Sequence, residues 1–202
     1  MSDVPSGAEP MPAPAHSIAD PGPLGLAAFA MTTFALSLSN AHIWIGGSAT
    51  ALGLALVYGG FAQILAGMWE FVRKNTFGAL AFTSYGAFWI TYYVLVKFVL
   101  GGVAAATIPE TVGVFLLGWT IFTFYMLIAS LRTNAVLAIV FLLLTITFVL
   151  LTIGAFHTSA SMNKAGGYFG LATAAFAWYA SCAGVVNETW KKPVLPLFPI
   201  TN

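Results

Sequence analysis

The chain has 202 residues, 59% of them hydrophobic and only 6% charged, with a formal net charge of +1. Seven Lys and Arg and six Asp and Glu cannot cover a water-soluble domain of this size, so a globular domain in water is excluded and an integral membrane protein is implied. The near-zero net charge offers no basic field for a nucleic-acid partner; membrane lipids are the expected surroundings.

Residues 1–20 are rich in Pro, Ala and Ser and contain no Lys or Arg. They lack the basic start and apolar core of a signal peptide and read as a disordered cytoplasmic tail. A transmembrane domain is expected over 21–190 and a short cytoplasmic tail over 191–202. Within the domain, apolar runs at 24–44, 49–71, 77–100, 111–131, 134–157 and 166–187 each approach the roughly 20 residues that cross about 30 Å of hydrocarbon. The fold class is therefore all-α, with six transmembrane helices. A β-barrel would alternate apolar and polar residues, whereas Ala135 to Leu151 is apolar on every face.

The first helix is announced by Asp20-Pro21-Gly22-Pro23-Leu24-Gly25-Leu26. Its first amides have no intrahelical acceptor, and two readings compete for them: a simple cap by Asp20, or an anion held at the helix N-terminus. Further along, Phe29, Thr33, Leu36 and Asn40 fall within about 20 to 40° of one line at 100° per residue. Polar groups in lipid need partners, so this stripe faces protein or a water-filled path. Each Thr or Ser taken singly can bond its own helix carbonyl instead; Asn40 is harder to dismiss.

The second helix aligns Gln63, Gly67 and Glu70, with Tyr58-Gly59-Gly60 allowing close approach of another element. Gln63 carries four hydrogen-bonding sites that call equally for a structural partner or a pore. Glu70 is a candidate proton carrier, yet it lies one turn before Arg73 and Lys74, and surface ion pairing at the membrane boundary is the favoured reading. Glu188 stands in the same relation to Lys191 and Lys192. The third helix repeats aromatics at Tyr85, Trp89 and Tyr92, suited to core packing or to lining a pore. Trp44, Trp69, Tyr168 and Trp190 lie near helix ends as interface anchors.

Small residues spaced by four, Ala49 with Gly53, Gly166 with Gly170 and Ala180 with Gly184, permit close helix contacts within or between subunits. Cys182 is the only cysteine, so no internal disulfide forms. The dispersed His16, His42 and His157 give no metal or haem spacing; no cofactor is expected. Arg73, Lys74, Arg132, Lys191 and Lys192 fall on the side of both termini and Lys164 and Lys97 on the other, which puts the termini in the cytoplasm of a plasma-membrane protein.

These features together resemble the acetate uptake transporter family, also called the succinate–acetate permease family. Its opening signature, Asn-Pro-Ala-Pro-Leu-Gly-Leu, is matched at Pro21, Pro23, Leu24, Gly25 and Leu26, with Asp20 and Gly22 departing. Phe29, Met31-Thr32-Thr33, Asn40, Tyr58-Gly59-Gly60, Ala62-Gln63, Gly67, Glu70, Asn75-Thr76-Phe77-Gly78 and Phe82-Thr83-Ser84-Tyr85-Gly86 stand in the family order. Ser39 occupies a place where family members carry His.

The resemblance implies six-helix subunits assembled as homohexamers, each with its own path for acetate and related small monocarboxylates, succinate being accepted by some members. It also implies an apolar constriction of Phe29, Tyr85 and Leu144, with Leu24, Gly25, Thr32, Thr33, Asn40 and Gln63 as substrate-binding positions. No Lys or Arg lies midway along any helix to neutralise a carboxylate, whose charge costs several kcal/mol at the bilayer centre. Passage as the neutral acid or with a proton is therefore expected, against a passive anion channel. A non-transporting scaffold would not need Asn40, Gln63 and Tyr85, and an enzyme would need a nucleophile, base or metal constellation that the sequence lacks.

Overall fold

The structure is a computed structural model that describes residues 18–200. The N-terminal tail expected over 1–20 thus lies almost wholly outside the described residues. Among the described residues, seven α-helices make six spans long and apolar enough to cross a membrane. They are α1 (Gly22–Asn40), α2 (Gly47–Leu56), α3 (Gln63–Val72), α4 (Thr76–Val94), α5 (Ile108–Ser130), α6 (Ala135–Phe156) and α7 (Ala160–Trp190). A π-helical stretch, Val57–Ala62, joins α2 and α3 into one span. α4 continues through a π turn, Leu95–Val99, and a 3-10 turn, Leu100–Gly102.

Local sequence sets these ends. Pro21 occupies the cap position of α1, and Asp20 works one residue further out, its Oδ1 accepting from the Gly22 amide at 2.9 Å. α1 stops at Asn40, four residues short of the expected Trp44, because His42 turns left-handed with φ 57°. Asn75 and Asn134 cap α4 and α6 by accepting from the amides of Gly78 and Leu137. α7 starts six residues before the expected Gly166, capped by Ser159, so Lys164 lies on a helix and not in a loop. Asn163 is seated against Gly154, where a β-carbon would come within 2.1 Å of its Oδ1.

Each span packs against the next, and the last, α7, packs extensively on α1, closing a ring. The sparsest seam is between α4 and α5. Close approach is obtained from glycine. A β-carbon on Gly167 would lie 2.3 Å from the Ala41 amide nitrogen, and one on Gly170 2.2 Å from Ser37 Oγ. Gly166, Gly170 and Gly184 therefore serve packing within the subunit, whereas Gly53 and Gly118 face open space. The exterior is apolar, with Leu65, Met68, Ile121, Phe124 and Ile128 exposed, as hydrocarbon solvent allows.

The C-terminal segment after α7 folds back on the bundle. Asn187 Oδ1 accepts from the amides of Val194 and Leu195 at 2.8 and 2.9 Å, and the Tyr179 hydroxyl donates to the Pro196 carbonyl at 2.8 Å. Phe198 and Ile200 pair with the backbone of Ala135 and Thr133. Among the described residues, the Asn134–Pro199 bridge is the only β-type pairing.

Because the α1–α7 contact involves backbone, Gly167→Ala should destabilise the subunit by about 1–3 kcal/mol through overpacking. Gly118→Ala, in open space, should be neutral or stabilising by up to about 1 kcal/mol from helix propensity. Melting in detergent checks the contrast.

Candidate functional site: two cavities and an apolar ring

Two cavities enter the ring of helices from opposite ends. The distal one, about 630 Å³, is bordered by Thr33, Asn40, Trp89 and Tyr92 and by the loops around His42 and Thr158. The other, about 240 Å³, opens on the side of both described ends and is bordered by Gln63, Glu70, Arg73, Asn75 and Leu197. Phe29 and Leu144 border both cavities, and Tyr85 borders the second. These three come from α1, α6 and α4, and are 5%, 3% and 3% exposed. The Phe29 and Tyr85 rings pack with centroids 5.5 Å apart. An apolar partition between two vestibules results.

Tyr85 is fixed from several directions. Phe122 meets its ring edge-on at 5.3 Å, and Trp119 and Phe141 flank it at 6.1 and 6.2 Å. Its hydroxyl is 2.9 Å from Thr123 Oγ1, which ties α4 to α5 across their sparsest seam. Thr123 is fully buried. It shares a face of α5 with Thr120 and Ser130, and that spacing does not reveal which residue of another helix it meets.

Polar groups flank the partition on both sides. Thr33 lies one turn beyond Phe29, and Trp89 one turn beyond Tyr85. Buried Thr33 Oγ1 and Trp89 Nε1, on the distal side, have no protein hydrogen-bond partner, nor do Oε1 and Nε2 of Gln63 on the other. Four unpaired atoms around a dry ring are costly unless a ligand or water meets them. Away from the ring the Thr83 hydroxyl, packed at Gly67, is also unpaired, whereas Thr145, Thr147 and Thr173 bond the carbonyls of Phe141, Leu143 and Phe169.

Three positions that the resemblance offered for substrate do not border either cavity. Leu24 is 43% exposed. Gly25 lies under the Phe82 ring, where a β-carbon would come within 2.6 Å. Thr32 donates to the Ala28 carbonyl at 3.0 Å and presses on Gly59. Gly25 and Thr32 pack α1 against its neighbours.

Glu70 also departs from expectation. It is 2% exposed, and its Oε2 accepts from Asn75 Nδ2 at 2.9 Å while standing 4.0 Å from Arg73. Lys74 takes a left-handed turn with φ 62°, and Arg73 pairs with Asp20 across the start of α1. The expected ion pair with Arg73 is thus present at 4.0 Å, but the carboxylate is buried and also held by an amide, and Lys74 takes no part. Glu188, by contrast, pairs at the surface with Lys191. Ser39 borders the distal cavity and donates to the Ile45 carbonyl at 3.4 Å.

Comparison with known proteins places this architecture. The model of the GPR1/FUN34/yaaH family matches residues 4–202. The succinate-acetate/proton symporter SatP of Escherichia coli (strain K12) is 40% identical over 181 residues, covering 89% of this chain and 95% of that one. Acetate permease A of Emericella nidulans is 39% identical over 199 residues, covering 91% of this chain and 67% of the permease. A solved structure of the bacterial acetate channel SatP superposes with a TM-score of 0.84 at 39% identity, covering 90% of this chain and 99% of that one. The six-span bundle, the family match along nearly the whole chain and the close structural likeness agree: this multi-pass membrane protein belongs to the GPR1/FUN34/yaaH family.

Proposed function

We propose that the chain carries acetate and related small monocarboxylates across the plasma membrane, as the neutral acid or with a proton. The observation that carries this reading is the pair of opposed cavities meeting at Phe29 and Leu144. The names of the relatives, an acetate permease and a succinate-acetate/proton symporter, point to the same solute class.

The chemistry of the path fits such a solute. An apolar constriction excludes hydrated ions by dewetting. A small acid can present its methyl group to Phe29 and Leu144 while its carboxyl group exchanges hydrogen bonds with Gln63 on one side and with Thr33 and Trp89 on the other. Those groups are neutral, so they offer hydrogen bonds and no full positive charge. A carboxylate anion would lose its hydration without an ionic partner, which favours the protonated acid at the ring. The Tyr85 hydroxyl serves a different purpose from direct binding: its bond to Thr123 holds the aromatic ring in the partition. Glu70, buried at the second cavity and held by Asn75, is the candidate for proton exchange there.

The termini face the cytoplasm in this reading, from the excess of Lys and Arg on their side. The subunits assemble as homohexamers, with a separate path in each. The apolar faces of α3 and α5 and the open surfaces at Gly53 and Gly118 are suited to contact between copies or with lipid.

Three measurements follow from this proposal. Purified protein in liposomes should take up labelled acetate, faster with an inward proton gradient than without one; flux indifferent to the gradient would instead mark a passive channel, and no flux would exclude the transport reading. Phe29→Ala and Tyr85→Ala should change acetate flux and lower discrimination against larger carboxylates by about tenfold, on the scale of removed apolar contacts. Trp190→Phe, at an exposed helix end, should leave both unchanged, and wild-type selectivity in both ring variants would remove the ring from the path. Native mass measurement in mild detergent should give six copies of the 21.3 kDa chain.

A further inference from the structure

The mouth of the second cavity carries an asymmetry that the ring and its flanking polar groups do not explain. Among the described residues, Arg73 is the only Lys or Arg bordering either cavity. Two carboxylates, Asp20 and Glu70, face it. Glu70 is buried and held by Asn75 at 2.9 Å, standing 4.0 Å from Arg73 Nη1. Asp20 makes the direct contact, through Oδ1 to Nη1 alone.

The geometry points to Arg73 as a carboxylate-docking residue at this mouth, with Asp20 as its built-in competitor; this rests on the carboxylate-transport reading above. Exposure supports exchange. The Arg73 and Asp20 side chains are 35% and 48% exposed, and exposed pairs are weak, about 0.2–1 kcal/mol. A solute carboxylate can therefore displace the aspartate without uncovering a buried charge. Guanidinium presents a planar fork that suits a carboxylate in two-point contact, and Asp20 engages one nitrogen of it. Once displaced, Asp20 retains a use, because its Oδ1 also accepts from the Gly22 amide at 2.9 Å.

The charge count then sets selectivity. With two carboxylates against one guanidinium the mouth is net negative, and it disfavours a dianion such as succinate more than acetate. An asparagine at position 20 would leave the mouth balanced and free the fork. It would also preserve the helix cap, since Asn accepts from the first amides as well as Asp does.

The test reads affinity apart from flux. Binding of acetate and of succinate to purified protein in detergent is followed by ligand-observed NMR titration. Asp20→Asn should tighten acetate binding about three- to fivefold, and succinate binding by a larger factor. Arg73→Gln should weaken both, and Asp20→Asn added to Arg73→Gln should then give a clearly smaller gain than Asp20→Asn alone. If Arg73→Gln does not fold, Arg73→Lys serves in its place, with weaker binding of both acids than wild type. Unchanged affinity in Asp20→Asn, or an equal gain from it with and without Arg73, would overturn the assignment. Loss of melting temperature without any change in affinity would do the same, leaving a structural tie. Liposome flux measured in parallel separates this outcome from failure of the transport reading, because absent wild-type flux leaves the binding comparison intact.

Discussion

The hydrogen bond between Tyr85 and Thr123 is the interaction on which the interior depends. The ring of helices closes firmly between α5 and α6, α6 and α7, and α7 and α1, and least firmly between α4 and α5. A single hydroxyl pair at 2.9 Å spans that seam, in surroundings where each group has no water to turn to. Its strength there comes from the penalty of separating the two groups in a low-dielectric interior. The same bond fixes the phenol ring against Phe29 and Phe122, and with the aromatic pairs of Tyr85 and Phe88 on Phe115, Trp119 and Phe122 it supports both the partition between the cavities and the closure of the bundle.

Around that support the protein divides its polar groups into two kinds. Threonines that only fill the core return their hydroxyls to their own helices, as Thr145 and Thr173 do. Gln63, Thr33 and Trp89 do not, and their unpaired atoms are gathered on either side of the ring. The division is energetic: a hydroxyl satisfied within its helix adds little beyond shape, while an unsatisfied one is a standing cost that a hydrogen-bonding solute relieves. Full charges are kept at the mouth of the second cavity, where partial exposure of Asp20 and Arg73 limits their cost.

Much of this was legible in the sequence, for identifiable reasons. Six spans follow from apolar length alone, and caps at Asn75 and Asn134 sharpen their starts. Helical phase brought Phe29 and Thr33 onto one line, and both border the distal cavity. What phase cannot give is the partner across an interface. Thr123 shares a face with Thr120 and Ser130 in α5, but its partner Tyr85 lies 38 residues away, and the meeting of Asp20 with Arg73 joins residues 53 apart in sequence. Thr32, Leu24 and Gly25, which the shared motif offered for substrate, border neither cavity: a motif is equally served by packing, and Thr32 against Gly59 is packing. Sequence distance indicated the ion pair of Glu70 with Arg73 but neither its burial nor its bond to Asn75, which the turn at Lys74 delivers.

The π-helical stretch at Val57–Ala62 bears on how such a path can change over evolutionary time. A π turn accommodates one residue more than an α turn, so it behaves as an insertion absorbed without breaking the helix. Everything before it keeps one angular register and everything after it keeps another, about 100° apart. Gln63 begins the second register. Loss or gain of a single residue upstream would therefore swing Gln63, Gly67 and Glu70 together around the axis of their helix, as a cassette, while α2 kept its seat against α1. Such a length change redirects a whole polar face in one step, which no series of point substitutions could do without passing through misfit intermediates.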